Sequence, residues 1–154
     1  MIEKITKKIS IIGIGNSIMG DDGVGIHAIL NLREMELQAG VEVFDAGTDA
    51  FYALEAMDGK DKAIILDACK GNNEPGTLYR LICDPIDGKC NPAFRMSMHQ
   101  MNFMDVMITS GAYKLPHEIV LLGVEPELLD WSTELSAKVR AVLPMLIEMV
   151  LREL

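Results

Sequence analysis

Acidic residues recur in this chain directly after short apolar runs, which is where an α/β fold does its chemistry. Asp21 and Asp22 follow the run Ile9–Ile14 and its turn Gly13-Ile14-Gly15-Asn16. Asp45 follows residues 41–44 and opens Asp45-Ala46-Gly47-Thr48, and Asp67 follows residues 63–66. One histidine has a comparable place: His99, in Ser97-Met98-His99-Gln100, stands at the start of an expected helix. His27 falls inside a helix, and His117 follows Pro116 just before a strand. Two carboxylates and an imidazole form a donor set that suits borderline divalent transition metals and leaves coordination positions open. A carboxylate held beside a substrate can also act as a general base.

Each residue has a plainer reading. An aspartate in a first helical turn complements the helix dipole, although an adjacent pair leaves one carboxylate over. Asp45 can bond its own backbone in a turn. Asp67, at the mouth of a sheet, needs a cation or a buried donor to offset its desolvation. A lone histidine is often structural. Cys69 beside Asp67 reads as a small buried residue. Met96, Met98, Met101, Met104 and Met107 read as core filling or an adaptable groove. Glu125, before Pro126, either supports the site or only ends a strand.

The elements that must position these groups alternate in type. Ile9–Ile14 is a β-branched run closed by Gly15-Asn16 and reads as a buried strand. Residues 23–37 carry apolar positions at helical spacing, with Gly40 closing the segment. Strands are expected at 41–44 and 63–66, with a short helix Ala50–Met57 between them and Asp49 as its cap. Residues 77–82 alternate polar and apolar, as suits an antiparallel edge strand. A loop at 84–92, a helix at 100–108, a buried strand at 119–124 and a long amphipathic helix from 132 complete the chain. Pro144 is expected to kink or break that last helix. The alternation implies a three-layer α/β sandwich, with a mostly parallel twisted sheet of about five strands and helices on both faces. Ligands in such folds sit outside the carboxyl ends of the strands, where the strand order reverses. If the first and third strands are neighbours, Asp22 and Asp67 approach across one crevice and His99 can close a three-ligand site.

Composition limits the alternatives. The 154 residues fit one domain, here 1–154, and 49% hydrophobic with 24% charged residues excludes intrinsic disorder. A formal net charge of -9 lacks the basic footprint that nucleic acid selects. Three cysteines, none in a C-x-x-C pair, match neither a structural zinc site nor a secreted disulfide scaffold, so a reducing, cytoplasmic setting is expected. The basic and then apolar N-terminus runs into Gly13 and Gly15 rather than a cleavage site, and no run approaches the ~20 apolar residues of a membrane span. A dinucleotide fingerprint fails because Ile18 stands where its third glycine belongs.

At these motifs the chain resembles the hydrogenase maturation endopeptidases, which process [NiFe]-hydrogenase large subunits. The likeness runs through Gly13-Ile14-Gly15-Asn16, Asp21-Asp22-Gly23-Val24-Gly25, the D-x-G-T box Asp45-Ala46-Gly47-Thr48, Asp67, Ser97-Met98-His99-Gln100 and Gly123-Val124-Glu125-Pro126. Each is weak alone, but their order and spacing are specific. The resemblance implies that Asp22, Asp67 and His99 contact metal, and that Asp45, Gly47 and Thr48 serve cleavage and substrate recognition. It further implies a nickel-dependent, aspartate-based endopeptidase that removes the C-terminal extension of a large-subunit precursor. The nickel would be delivered within that substrate, with no organic cofactor, and the protease would act as a monomer. The nickel either assists hydrolysis or only docks the substrate while a carboxylate activates water. The alternative from another class is a noncatalytic metal-dependent module that escorts the precursor uncut.

Overall fold

The computed structural model describes residues 3, 5–83, 95–96, 111 and 113–154. The strands are β1 (Ile9–Ile14), β2 (Val41–Gly47), β3 (Lys62–Lys70), β4 (Leu78–Cys83), the two-residue β5 (Arg95–Met96) and β6 (Glu118–Val124). The helices are α1 (Val24–Arg33), entered through a 3-10 turn at Gly20–Gly23, then α2 (Ala50–Met57) and α3 (Ala137–Glu153). The strand order is β2-β1-β3-β6-β4, with β5 pairing β3 off this path. The β1–β2, β1–β3 and β3–β6 pairs are parallel, whereas β4 runs antiparallel on the β6 edge, as its alternating pattern implies.

Successive residues of the parallel strands feed opposite faces. Ile12, Ile14, Ile65 and Leu121 pack with Leu54 and Met57 of α2 on one side. Ile11, Ile64, Leu66 and Leu122 pack with Ile29 and Leu32 of α1 and with Val139, Leu146 and Val150 of α3 on the other. That two-sided burial explains why the central strands read as continuous apolar runs. Helix α1 approaches the sheet so closely that a Cβ on Gly25 would overlap the Leu66 carbonyl oxygen, so the position admits no side chain.

Four elements have boundaries that differ from expectation. Strand β3 continues through Asp67 to Lys70, because Asp67 and Ala68 pair with Gly123 and Val124 of β6 after β1 has ended opposite Leu66. Strand β2 likewise carries Asp45 and reaches Gly47. Helix α1 stops at Arg33, where Glu34 and Met35 N–H groups turn back onto the Asn31 and Leu32 carbonyls, although Leu37 still packs on the core. Helix α3 begins only at Ala137, with the Ser136 hydroxyl accepting from the Val139 N–H, and it continues through Pro144. The expected helix at 100–108, the loop at 84–92 and His99 lie outside the described residues. Cys83 is disulfide-bonded, which departs from the expectation of reduced thiols.

The amino ends of the central strands hold an ionic cluster. Lys62 is buried and its Nζ lies 2.7 Å from Glu153 Oε2 and 3.0 Å from Glu118 Oε1, while Arg80 also binds Glu153. This ties the end of α3 to the sheet at the pole opposite Asp67. Burial alone would lower the Lys62 pKa, but the hydrogen bonds and charges of Glu153 and Glu118 more than reverse it, so it stands raised. Glu153 is held below the usual carboxylate value, chiefly by its hydrogen bond from Arg80, and Glu118 chiefly by that from Lys62.

Among the described residues, no helix is long and apolar enough to cross a membrane.

Candidate active site

The order β2-β1-β3 reverses direction at β1, which puts the switch point, and therefore the expected crevice, between the carboxyl ends of β1 and β3. Gly15 is the first residue beyond β1 and has φ +139, a conformation that favours glycine. A Cβ there would overlap the Asp22 carbonyl oxygen and lie 3.5 Å from Asp67 Oδ1. The Asp22 main-chain carbonyl thus packs into the notch that a side chain at Gly15 would fill, with the Asp67 carboxylate beyond it. Strands β1 and β3 are neighbours, as the expected crevice requires.

Both aspartates form the floor of the site. Asp67 is fully buried and Asp22 nearly so. The Ala68 N–H donates to Asp67 Oδ1 at 2.7 Å, which supplies the buried donor such a carboxylate requires. The Asn16 N–H donates to Asp22 Oδ2 at 3.1 Å, so Asp22 braces the turn after β1 instead of capping α1, whose start has no side-chain cap.

The D-x-G-T box joins the notch directly. Asp45 is half-buried in β2 opposite Gly13, and its Oδ1 accepts the Gly47 N–H at 3.0 Å. The Gly47 carbonyl in turn accepts the Gly15 N–H at 2.8 Å. Thr48 is exposed beyond it. Asp49 then caps α2 as expected, its Oδ1 accepting the N–H groups of Phe51 and Tyr52 at 3.0 and 3.1 Å.

Two carboxylates have roles that local sequence did not disclose. Asp21 is fully buried and gathers four donors: the Glu127 and Leu128 N–H groups and the Ser136 hydroxyl on Oδ2, and the Ser136 N–H on Oδ1, all within 2.8–2.9 Å. It fastens the 3-10 turn carrying Asp22 to the segment between β6 and α3. Glu125, also buried, accepts the Gly71 and Asn73 N–H groups at 2.8 and 3.1 Å and so clamps the segment that follows β3. Glu125 directly follows the last residue of β6, so it both ends that strand and holds the loop after β3. Cys69 is a free, buried thiol whose pKa is pushed up to about 12 by burial and by the charges of Asp67 and Glu125. At neutral pH it is protonated and inert as a nucleophile.

Among the described residues, no group of three or more His, Cys, Asp or Glu side chains is disposed to hold a metal ion. Asp22 and Asp67 are among the described residues, and the third expected donor, His99, is outside them. His27 sits on α1, and His117 is exposed just before β6, at the opposite end of the sheet.

The fold defines a class: a doubly wound α/β protein with buried aspartates beside the β1/β3 switch point. Comparison with known proteins narrows that class. A family model described as hydrogenase maturation protease matches residues 26–153. Hydrogenase expression/formation protein HupD of Rhizobium leguminosarum bv. viciae is 34% identical over 152 residues, which cover 96% of this chain and 74% of that protein. HoxM of Azotobacter vinelandii is 38% identical over 140 residues, covering 88% of this chain and 66% of its own length. The hydrogenase maturating endopeptidase HybD from E. coli superposes with a TM-score of 0.81 at 29% identity, covering 95% of this chain and 91% of its own. The chain belongs to the hydrogenase maturation protease family, and it is a protease.

Proposed function

We propose that this protease removes the C-terminal extension of a [NiFe]-hydrogenase large-subunit precursor after nickel insertion, and that the nickel arrives as part of the substrate. The observation that carries the reading is the Gly15 notch, where the Asp22 main chain and the Asp67 carboxylate, from separate chain segments, approach each other at the switch point. Oxygen donors there, joined by the His99 imidazole, suit a borderline divalent ion that is already partly coordinated by the precursor. A precursor without nickel would forgo that contact and dock less well.

The cleavage chemistry falls to Asp45. Water adds to the scissile carbonyl carbon while the Asp45 carboxylate accepts its proton, and return of that proton to the departing amine completes rupture of the C–N bond. The Gly47 N–H on Asp45 Oδ1 fixes the carboxylate's direction and leaves proton transfer to Oδ2. Gly47, hydrogen-bonded to Gly15, together with the exposed Thr48 lines the path along which the substrate chain crosses from the notch to Asp45.

Asp22→Asn, Asp67→Asn and His99→Ala should each abolish processing of a nickel-loaded precursor while leaving far-ultraviolet circular dichroism unchanged. Retained cleavage in all three would overturn the site.

A further inference from the structure

Beside the aspartate floor stands a surface that cleavage chemistry does not use. Ile18 follows the Gly15-Asn16 turn, while Leu128, Leu129 and Trp131 follow β6, and all four side chains are exposed, Trp131 by 74%. The two segments carrying them are stitched together through the backbone. The Ser132 N–H donates to the Ile18 carbonyl at 3.0 Å, Gly20 N–H to the Ser132 carbonyl at 2.9 Å, and Asp21 N–H to the Leu128 carbonyl at 2.8 Å. From beneath, the Asp21 carboxylate holds the Glu127 and Leu128 N–H groups. A large indole kept in water on a braced support is costly to solvate, and such exposed apolar clusters mark interaction sites.

The charges around it select the partner. Residues 125–136 contain Glu125, Glu127, Asp130 and Glu134 and no basic residue, and the last three of these acids are exposed. Lys138 and Arg140 approach Glu127 and Glu134 only at 3.7 Å through exposed side chains, and such pairs contribute little. A second copy would bring its own charge of -9 against the same acidic rim, so self-association through this face is opposed by like charges.

We infer that the Ile18–Leu128–Leu129–Trp131 surface docks the body of the protein substrate through an apolar cluster flanked by lysine and arginine, next to the turn that carries Asp22. The inference rests on the proposed protein-processing function. It assigns the recognition of a folded precursor to a surface separate from the groups that cut it.

Trp131 is the one tryptophan of the chain, so its emission reports on this surface alone when the precursor partner is tryptophan-free or labelled with a tryptophan analogue of shifted spectrum. The experiment titrates the full-length protein with nickel-loaded precursor and measures both Trp131 emission and cleavage, for the wild type and for Trp131→Ser and Leu129→Ser. Binding should shift the emission to the blue, and each variant should raise KM roughly tenfold with kcat within about twofold, as expected for interface anchors that act before chemistry. A wild type that cleaves while both variants keep its KM overturns the docking surface, and so does saturable binding without a spectral shift. A wild type that binds with the shift but never cleaves leaves the docking surface standing and refutes the proposed function. Absence of any binding refutes both. A concentration-dependent dimer that Trp131→Ser dissociates would assign the surface to a second copy and overturn the inference.

Discussion

The neighbouring Asp21 and Asp22 should part company on mutation, because one is structural and the other belongs to the notch. In Asp21→Asn an NH2 group must replace one carboxylate oxygen. Placed at Oδ1 it faces the Ser136 N–H, and placed at Oδ2 it faces the N–H groups of Glu127 and Leu128. Either orientation sets donor against donor and leaves at least one part-buried N–H without its partner, at about 1–3 kcal/mol. For a chain of this size each kcal/mol lowers Tm by about 2–4 °C, so the loss should be roughly 2–12 °C. Asp21→Ala abandons all four donors. Glu127 and Leu128 are exposed enough for water to recover part of that loss, so about 3 kcal/mol is the expected cost. Asp22→Asn, by contrast, can keep an amide oxygen on the Asn16 N–H and should stay within about 1 kcal/mol of the wild type while losing cleavage. Urea denaturation followed by fluorescence and circular dichroism, run beside a processing assay, gives both readouts. An Asp21→Asn protein with wild-type stability would refute the clamp, and an Asp22→Asn protein with wild-type processing would refute the separation.

Other expectations follow from the two poles of the sheet. Gly15→Ala places a methyl group against the Asp22 carbonyl in a left-handed conformation, and it should cost about 1–3 kcal/mol and reduce processing, measured by denaturation and cleavage together. The depressed folded values of Glu153 and Glu118 contribute stability that is present above their ordinary 4.5 and lost as pH falls through those lower values. The raised Lys62 contributes stability that is fully present below its ordinary 10.5 and lost as pH rises through its folded value. Lys62→Met should therefore flatten the stability profile at both ends, and an unchanged profile would show that the cluster is not coupled to folding. Cys69→Ala should process at the wild-type rate, since a thiol with a pKa pushed up to about 12 supplies no nucleophile; a large drop in kcat would contradict this.

Local signals were legible where local physics decides. The run Ile9–Ile14 needed only β-branched residues and a closing glycine, and Ala50–Met57 needed only Asp49 to satisfy its first N–H groups. The end of β3 was not legible, because Asp67, Ala68 and Cys69 extend the strand through partners on β6 and β5 that lie far along the chain. The same distance hides the function of Asp21. Its spacing to Asp22 fits a helix cap, yet its donors lie more than a hundred residues away. Lys62 opens an apolar strand with nothing nearby to announce that α3 will deliver Glu153 to it. The approach of Asp22 to Asp67 stood between these cases: the switch-point rule pointed to it, and the β1–β3 neighbourhood brings the Asp22 main chain close to the Asp67 carboxylate at Gly15.

That substrate-borne nickel gates cleavage beside Asp22 and Asp67 is a proposal with a direct readout. Its most direct test is the intact mass of a cognate large-subunit precursor after incubation with this protease, with and without nickel loading. Loss of a C-terminal peptide from the loaded form alone is the expected result. Equal trimming of both forms, or an uncut loaded precursor that demonstrably binds, would contradict it.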